Sequence, residues 1–394
     1  MKITIIQGAF LPVPPLMGGA VEKVWHALGG EFARRGHEVT HISRRWGDLP
    51  NGEVSDGVRH LRVAGFDTPR SVFRLKVLDL IYSWRVSRRL PAADILVTNT
   101  FWLPVLVKDP ALGRLYVHVA RFPKGQMRLY GGVARLQTVS GAIAQAISEE
   151  VPRLASKVRV IPYPLIDEWE REDEAIRRER RILYAGRVHP EKGLDLLIRA
   201  MVSLPAGLMA DWKLVIVGPA EIAAGGGGAQ YLEELKRLAE PIAGSVEWVG
   251  SVFDLGELAA HYRRASLFVY PSLAERGETF GLAPLEAMSH GCAPLVSDLA
   301  CFKDHIDNEV TGFVFDHRAP NPVTTLSDRI AALAGDEARL AAVGAAARRK
   351  AAEYCLPRIA DRFLRDFESL RQPESSAEAK GVSVRPTKAL SSIE

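Results

Sequence analysis

Residues 267–297 read LFVYPSLAERGETFGLAPLEAMSHGCAPLVS. Leu267 to Tyr270 is an apolar run of strand length, and Gly291 to Val296 leads into a second such run. The segment between them starts as a loop and becomes a helix, so the stretch is a strand–loop–helix–strand unit of the kind that builds parallel sheets. Its turn, Phe280-Gly281-Leu282, offers backbone N–H groups where the helix begins, and a helix N-terminus binds anions through those groups and its dipole. Glu278 precedes the helix and Glu286 lies eight positions on, near its first turn. Two carboxylates so placed can accept hydrogen bonds from the paired hydroxyls of a sugar or ribose beside a phosphate. Carboxylates that merely complement the helix dipole are the competing reading of such a pair.

The same unit recurs at the start of the chain. Lys2 to Ile6 reads as a buried strand, Phe10 to Met17 as a Pro-rich loop, and Ala20 to Arg35 as a helix with Val21, Val24, Trp25, Leu28 and Phe32 on one face, stopped by Gly36. Gly18 and Gly19 stand just before that helix, where bare backbone can approach a phosphate or simply permit a turn. Further strands are expected at Val39–Ser43, Val58–Val63, Ile95–Thr98, Leu115–Val119, Gln137–Ser140 and Val158–Ile161. Pro162-Tyr163-Pro164 ends the pattern, and the charged run from Asp167 to Arg181 marks a boundary between two doubly wound α/β domains.

After the boundary, strand Ile182–Ala185 runs through the turn GRVHPEKG, residues 186–193, into helix Leu194–Met201. Arg187 and Lys192 flank that turn. A planar fork and a point charge in a glycine-bounded turn suit a diphosphate. Strand Trp212–Val217 closes on Gly218, a further donor-site candidate. Gly225 to Gly228 suggest a mobile flap or linker and do not reproduce a G-x-G-x-x-G dinucleotide signature, which removes the basis for a nicotinamide oxidoreductase. From Arg371 the chain is rich in Ser, Glu, Lys and Pro, and residues 371–394 are expected to be disordered.

A chain of 394 residues with formal net charge +4 hides an asymmetry. Residues 1–165 carry 23 Lys and Arg against 12 Asp and Glu, a balance of +11, and the remainder carries −7. A basic half attracts anionic membrane surfaces, phosphate-bearing acceptors or nucleic acid. Arg70 to Arg89 concentrates this charge around an apolar stripe of Val72, Leu75, Leu78, Ile81, Tyr82 and Val86, read either as core packing or as a face for a membrane surface. No recognisable nucleic-acid module accompanies it. His118, near the end of a strand, is a functional candidate or a hydrogen-bonded core histidine. The three cysteines have no metal-ligand spacing, and MKITIIQGAF reads as a strand instead of an export signal, so a cytoplasmic location is expected.

Taken together, these pieces resemble the retaining glycosyltransferases of the GT-B fold in glycosyltransferase family 4. The most specific part is ETFGLAPLEAMSHGCAPLVS, residues 278–297, which is similar to the family's E-x-F-G-L-x-x-x-E-A-M-A-x-G-x-P-V-V. Gly18-Gly19, Val139-Ser140, the R-x4-K of Arg187 and Lys192, Pro271-Ser272 and Thr311-Gly312 follow in the family's order. The resemblance implies an N-terminal acceptor domain, residues 1–165, a nucleotide-sugar donor domain, residues 166–354, and a crossing helix, residues 355–370, that returns to the first domain. It also implies roles. Glu278 and the backbone of Phe280, Gly281 and Leu282 would hold the donor sugar, Glu286 the ribose, Arg187 and Lys192 the diphosphate, and His118 would face the donor sugar.

No Asp-x-Asp motif is present, so metal-independent transfer without a cofactor is expected, the cations stabilising the charge that grows on the leaving diphosphate. The implied reaction moves a hexose from GDP-mannose or a UDP-sugar to a lipid-linked or lipopolysaccharide acceptor. Synthesis of a soluble glycoside or disaccharide, a sugar-nucleotide epimerase and a non-catalytic nucleotide-sugar binding subunit are the alternatives. Three positions depart from the family pattern: Tyr163-Pro164 stands for Asn-Gly, Pro219-Ala220 for Asp-Gly, and Ala300-Cys301 for a glycine pair.

Overall fold

The computed structural model describes residues 1–166 and 178–371. Most of the charged run after Asp167, and the tail beyond Arg371, lie outside the described residues. The first domain alternates β1 (Lys2–Ile6), α1 (Ala20–Arg34), β2 (Glu38–Arg44), β3 (Gly52–Ser55), β4 (Val58–Val63), α2 (Val72–Ser87), β5 (Ile95–Thr98), α3 (Leu103–Leu106), β6 (Arg114–Val119), β7 (Arg135–Thr138), α4 (Gly141–Glu150) and β8 (Val158–Val160). Its eight strands run in the order β3-β4-β2-β1-β5-β6-β7-β8, parallel except for the β3–β4 hairpin at the edge.

The second domain contains β9 (Glu179–Ala185), α5 (Leu194–Val202), α6 (Ala206–Asp211), β10 (Lys213–Val217), α7 (Gly228–Leu238), β11 (Val246–Gly250), α8 (Leu255–Arg264), β12 (Ala265–Tyr270), α9 (Leu282–Ser289), β13 (Ala293–Ser297), β14 (Phe313–Phe315), α10 (Pro322–Ala334) and α11 (Glu337–Ala351). Its sheet order is β11-β10-β9-β12-β13-β14. The strand order reverses between β1 and β5 in one sheet and between β9 and β12 in the other. Such switch points open a crevice at the carboxyl ends of the strands. The Gly18-Gly19 loop, the 186–193 turn and the 271–281 loop all emerge there.

The last helix, α12 (Leu356–Arg371), leaves the second domain and completes the core of the first. Phe363 packs edge-on against Trp25, and Phe367 against Phe32 and Tyr116. Asp366 lies between Arg135 Nη2 at 2.7 Å and the Tyr116 hydroxyl at 2.9 Å, with Arg159 beyond. Arg35 reaches Asp361 and the carbonyl of Pro357.

Two sequence expectations need correction. On α2, Tyr82 and Val86 are buried and Leu75 and Leu78 partly so, but Val72 and Ile81 are exposed, together with Phe73, Val77, Leu80 and Trp84. The inward positions between them are polar. Buried Asp79 accepts hydrogen bonds through one oxygen from the backbone N–H groups of Phe101 and Trp102, both at 3.1 Å, and from Ser83 at 3.4 Å. Burial pushes the Asp79 carboxyl up to about 6. The helix therefore fastens the loop after β5 with its polar residues and leaves an apolar face outside.

The glycines at 225–228 form no flap. The N–H groups of Gly226, Gly227 and Gly228 donate to the carbonyls of Glu221, Val188 and Ala220 at 2.7–2.9 Å, and α7 begins at Gly228. A Cβ on Gly226 would sit 2.3 Å from the Ala220 backbone, so these glycines serve close approach. No helix among the described residues is long and apolar enough to cross a membrane.

Candidate functional site

The turn after β9 and the loop after β12 close on each other at the switch point. Gly193 adopts φ +66°, and a Cβ there would lie 2.1 Å from the carbonyl oxygen of Pro271, so only glycine lets the two segments meet. The Leu273 N–H donates to the carbonyl of Glu191 at 2.9 Å and fixes the junction. It brings Lys192 Nζ to 2.7 Å from Glu278 Oε2, an ion pair whose side chains are 7% and 11% exposed. The Tyr270 hydroxyl and Ser272 Oγ donate to the same oxygen at 3.2 and 3.3 Å, and Lys192 lies over the Tyr270 ring at 5.5 Å. A carboxylate and an ammonium this far from water hold each other in one geometry. Each still has hydrogen-bonding capacity, the carboxylate for hydroxyls and the ammonium for phosphate oxygens.

Arg187 occupies the outer side of the turn. Its Nη2 donates to Glu191 Oε1 at 2.6 Å and its Nη1 to the carbonyl of Gly225 at 2.8 Å, which is the use found for the ordered glycine run. About two-fifths of the side chain remains exposed, so the fork is aimed but accessible. Among the described residues no group of three metal-ligating side chains is present.

Gly281 caps α9 with φ +85°, and a Cβ there would strike the Phe302 ring at 2.4 Å. Phe280 is buried and faces the domain junction, edge-on to Tyr163 at 5.9 Å and within 5.1 Å of His305. Leu282 opens the helix, half-buried. Glu286 stands in the second turn, where the hydroxyl of buried Tyr262 donates to it at 3.0 Å. Gly218 does a different job. A Cβ on it would lie 1.9 Å from the carbonyl oxygen of Gly186, so it allows the ends of β9 and β10 to close on each other.

On the other side of the crevice Gly18 and Gly19 adopt φ +77° and +95° ahead of α1. His118, at the end of β6, is buried. Its Nδ1 donates to Gln137 Oε1 at 2.5 Å and its Nε2 accepts from the Tyr163 hydroxyl at 3.3 Å, the pattern of a neutral ring. Burial lowers its pKa to about 4, against the opposing pull of Gln137. His118 thus reaches the 271–281 loop through Tyr163 and Phe280. A second link between the domains is the Gly141 N–H, which donates to Asp304 Oδ2 at 2.8 Å at the start of α4.

Lys192, Glu278 and Arg187 are therefore brought together, with Gly281 beside them. Gly218 and Glu286 are engaged in packing and in the Tyr262 contact, and His118 sits behind Tyr163. Sequence reasoning overlooked Tyr270 and Tyr262 as partners of the two glutamates. Tyr163 did leave a signal, as a departure from the pattern of the resembling family.

Residues 166–350 match the family model described as "Glycosyl transferases group 1". Over 163 residues, 41% of this chain and 43% of the relative, the sequence is 33% identical to the lipopolysaccharide core biosynthesis mannosyltransferase LpsB of Rhizobium meliloti (strain 1021). Among solved structures, sucrose-phosphate synthase from Thermosynechococcus elongatus superposes with TM-score 0.74 at 19% identity, covering 94% of this chain and 99% of that one. Anabaena Alr3699/HepE in complex with UDP and glucose gives TM-score 0.69 at 17% identity, covering 94% and 100%. At those identities the structural likeness speaks to the fold, which is GT-B.

Proposed function

We propose that this group 1 glycosyltransferase moves a hexose from GDP-mannose or a UDP-sugar, with retention and without a metal ion, to a lipid-linked or lipopolysaccharide acceptor. The observation that carries the reading is the buried Lys192–Glu278 pair at the switch point of the second sheet. Glu278 accepts hydrogen bonds from the donor sugar's hydroxyls. Lys192 and Arg187 meet the diphosphate, whose negative charge grows as the anomeric bond breaks, so fixed cations favour the transition state over the ground state. Glu286 takes the ribose and the α9 N-terminus adds backbone donors. The acceptor hydroxyl attacks on the leaving-group face and its proton passes to the departing phosphate oxygen, so no enzymic nucleophile is needed. The likeness to a lipopolysaccharide mannosyltransferase supports the acceptor class.

The donor is found by a thermal-shift panel of UDP-, GDP- and ADP-sugars, with and without EDTA. At a hundredfold excess over Kd the matching nucleotide adds about 2.7 kcal/mol, or roughly 5–10 °C for a domain of this size. The shift is expected to persist in EDTA. A panel in which no nucleotide sugar shifts the transition overturns the reading.

The acceptor reading has its own support on α2. Val72, Phe73, Val77, Leu80, Ile81 and Trp84 form an exposed apolar face, fringed by exposed Arg70, Arg74, Arg88 and Arg89. Arg88 lies over the Trp84 ring, while Arg85 is tied to the carbonyl of Ala64 at 2.8 Å. An apolar strip with a cationic border matches the interface of an anionic bilayer, where each basic residue contributes about 1 kcal/mol. Replacing Arg74, Arg88 and Arg89 by Gln is expected to weaken binding to phosphatidylglycerol-containing vesicles by roughly 100-fold and to leave phosphatidylcholine vesicles unaffected. Equal binding by wild type and variant would favour a soluble acceptor.

A further inference from the structure

One carboxylate in the crevice has no part in the donor chemistry. Glu22, in the first turn of α1, is 7% exposed. It lies against the Gly18-Gly19 loop so closely that a Cβ on Gly19 would be 2.2 Å from its Oε2, so the glycine makes the room this carboxylate occupies. Its own backbone N–H is its hydrogen-bond partner, and among the described residues it has no other. Arg121, just past β6, is near enough for its charge to act on Glu22, and Glu22 in turn acts on the Tyr163 phenol. One turn along α1, Trp25 packs edge-on to His118 at 5.5 Å. Glu22 thus belongs to the group, with Tyr163 and His118, that faces Phe280 of the donor loop across the domain junction.

An acid this enclosed, held by its own N–H and by the charge of Arg121 alone, costs the fold stability. Burial raises its pKa, with its own N–H and Arg121 opposing. Because the folded value lies above the unfolded one, the penalty is absent below the ordinary carboxylate pKa and grows as pH rises through the folded value. The place of Glu22 in the first turn of α1 suits the helix dipole, but its oxygens keep hydrogen-bonding capacity. A ligand with hydroxyl groups would complete its hydrogen bonding.

We infer that Glu22 is the acceptor-side carboxylate, accepting a hydrogen bond from a hydroxyl adjacent to the one that attacks. The inference rests on the transferase reading above. The bonds made and broken are unchanged: the acceptor oxygen joins the anomeric carbon, the phosphate oxygen leaves, and the attacking hydroxyl's proton goes to that oxygen. When water is the acceptor, one O–H serves the phosphate and the other serves Glu22. Hydrolysis of the donor is therefore a readout that needs no identified acceptor.

The test uses the full chain and its Glu22→Gln and Glu22→Ala variants, with UDP-glucose and GDP-mannose as donors. For Glu22→Gln the melting temperature at pH 7 is expected to equal or exceed that of the wild type. Donor Kd should stay within twofold, while kcat for donor hydrolysis falls at least tenfold, and further in Glu22→Ala. Hydrolysis within twofold of wild type in both variants, or a lowered melting temperature for the isosteric Gln variant, would make Glu22 a structural residue and overturn the assignment. Failure of the wild type to bind or hydrolyse either donor would instead overturn the transferase reading, and this inference with it.

Discussion

Lys192→Ala is expected to abolish both the thermal shift by the matching nucleotide sugar and donor turnover. Two losses combine. The diphosphate loses the ammonium that meets its growing charge, and Glu278, 11% exposed, loses its cation 2.7 Å away. Removing one partner of a buried pair costs about 3–5 kcal/mol, because the other charge is left uncompensated. That loss falls on stability; the missing charge at the leaving diphosphate separately lowers kcat by roughly 10²–10³. The double variant Lys192→Ala/Glu278→Gln separates the two losses: it should recover most of the stability and none of the turnover. Calorimetry and donor hydrolysis measure both quantities. A Lys192→Ala protein that keeps the wild-type thermal shift would remove this residue from the diphosphate.

Asp366→Ala is expected to cost as much stability in the other domain. Arg135 and Asp366 are each about nine-tenths buried, and the Tyr116 hydroxyl and Arg159 converge on the same carboxylate. Deleting it leaves Arg135 without a counter-ion beneath the crossing helix, a loss of about 3–5 kcal/mol. For a domain of this size the transition moves down by on the order of 10 °C. The loss falls on the first domain, so calorimetry should show a split transition, with the nucleotide-sugar shift preserved in the component of the second domain. A single transition at the wild-type temperature would mean that the crossing helix is held by its aromatic contacts alone.

Much of the architecture could be read from the sequence because its signals are local. A strand, a glycine-bounded turn and a helix follow one another within about twenty residues, and Arg187, Lys192 and Glu278 sit at the ends of such units, where the topology must place them. What escaped was set by distance. Nothing near Glu286 in sequence announces that Tyr262 donates to it, since the two meet only when α8 and α9 pack. On α2 the apolar positions outnumber what one face can bury. The choice of face was made by Asp79, which Ser83 supports and whose partners at Phe101 and Trp102 lie more than a strand away. The glycines at 225–228 were misjudged because close approach and flexibility ask for the same residue.

The crossing helix also sets an order of events during synthesis. Trp25, Phe32 and Tyr116 are made early, yet the aromatic residues that cover them are Phe363 and Phe367, near the end of the described chain. The second domain can complete its own sheet and helices while the first still shows an open aromatic seam to the ribosome's surroundings. The half of the protein that is translated first is therefore closed only by a helix translated after the whole of the second domain, around Asp366.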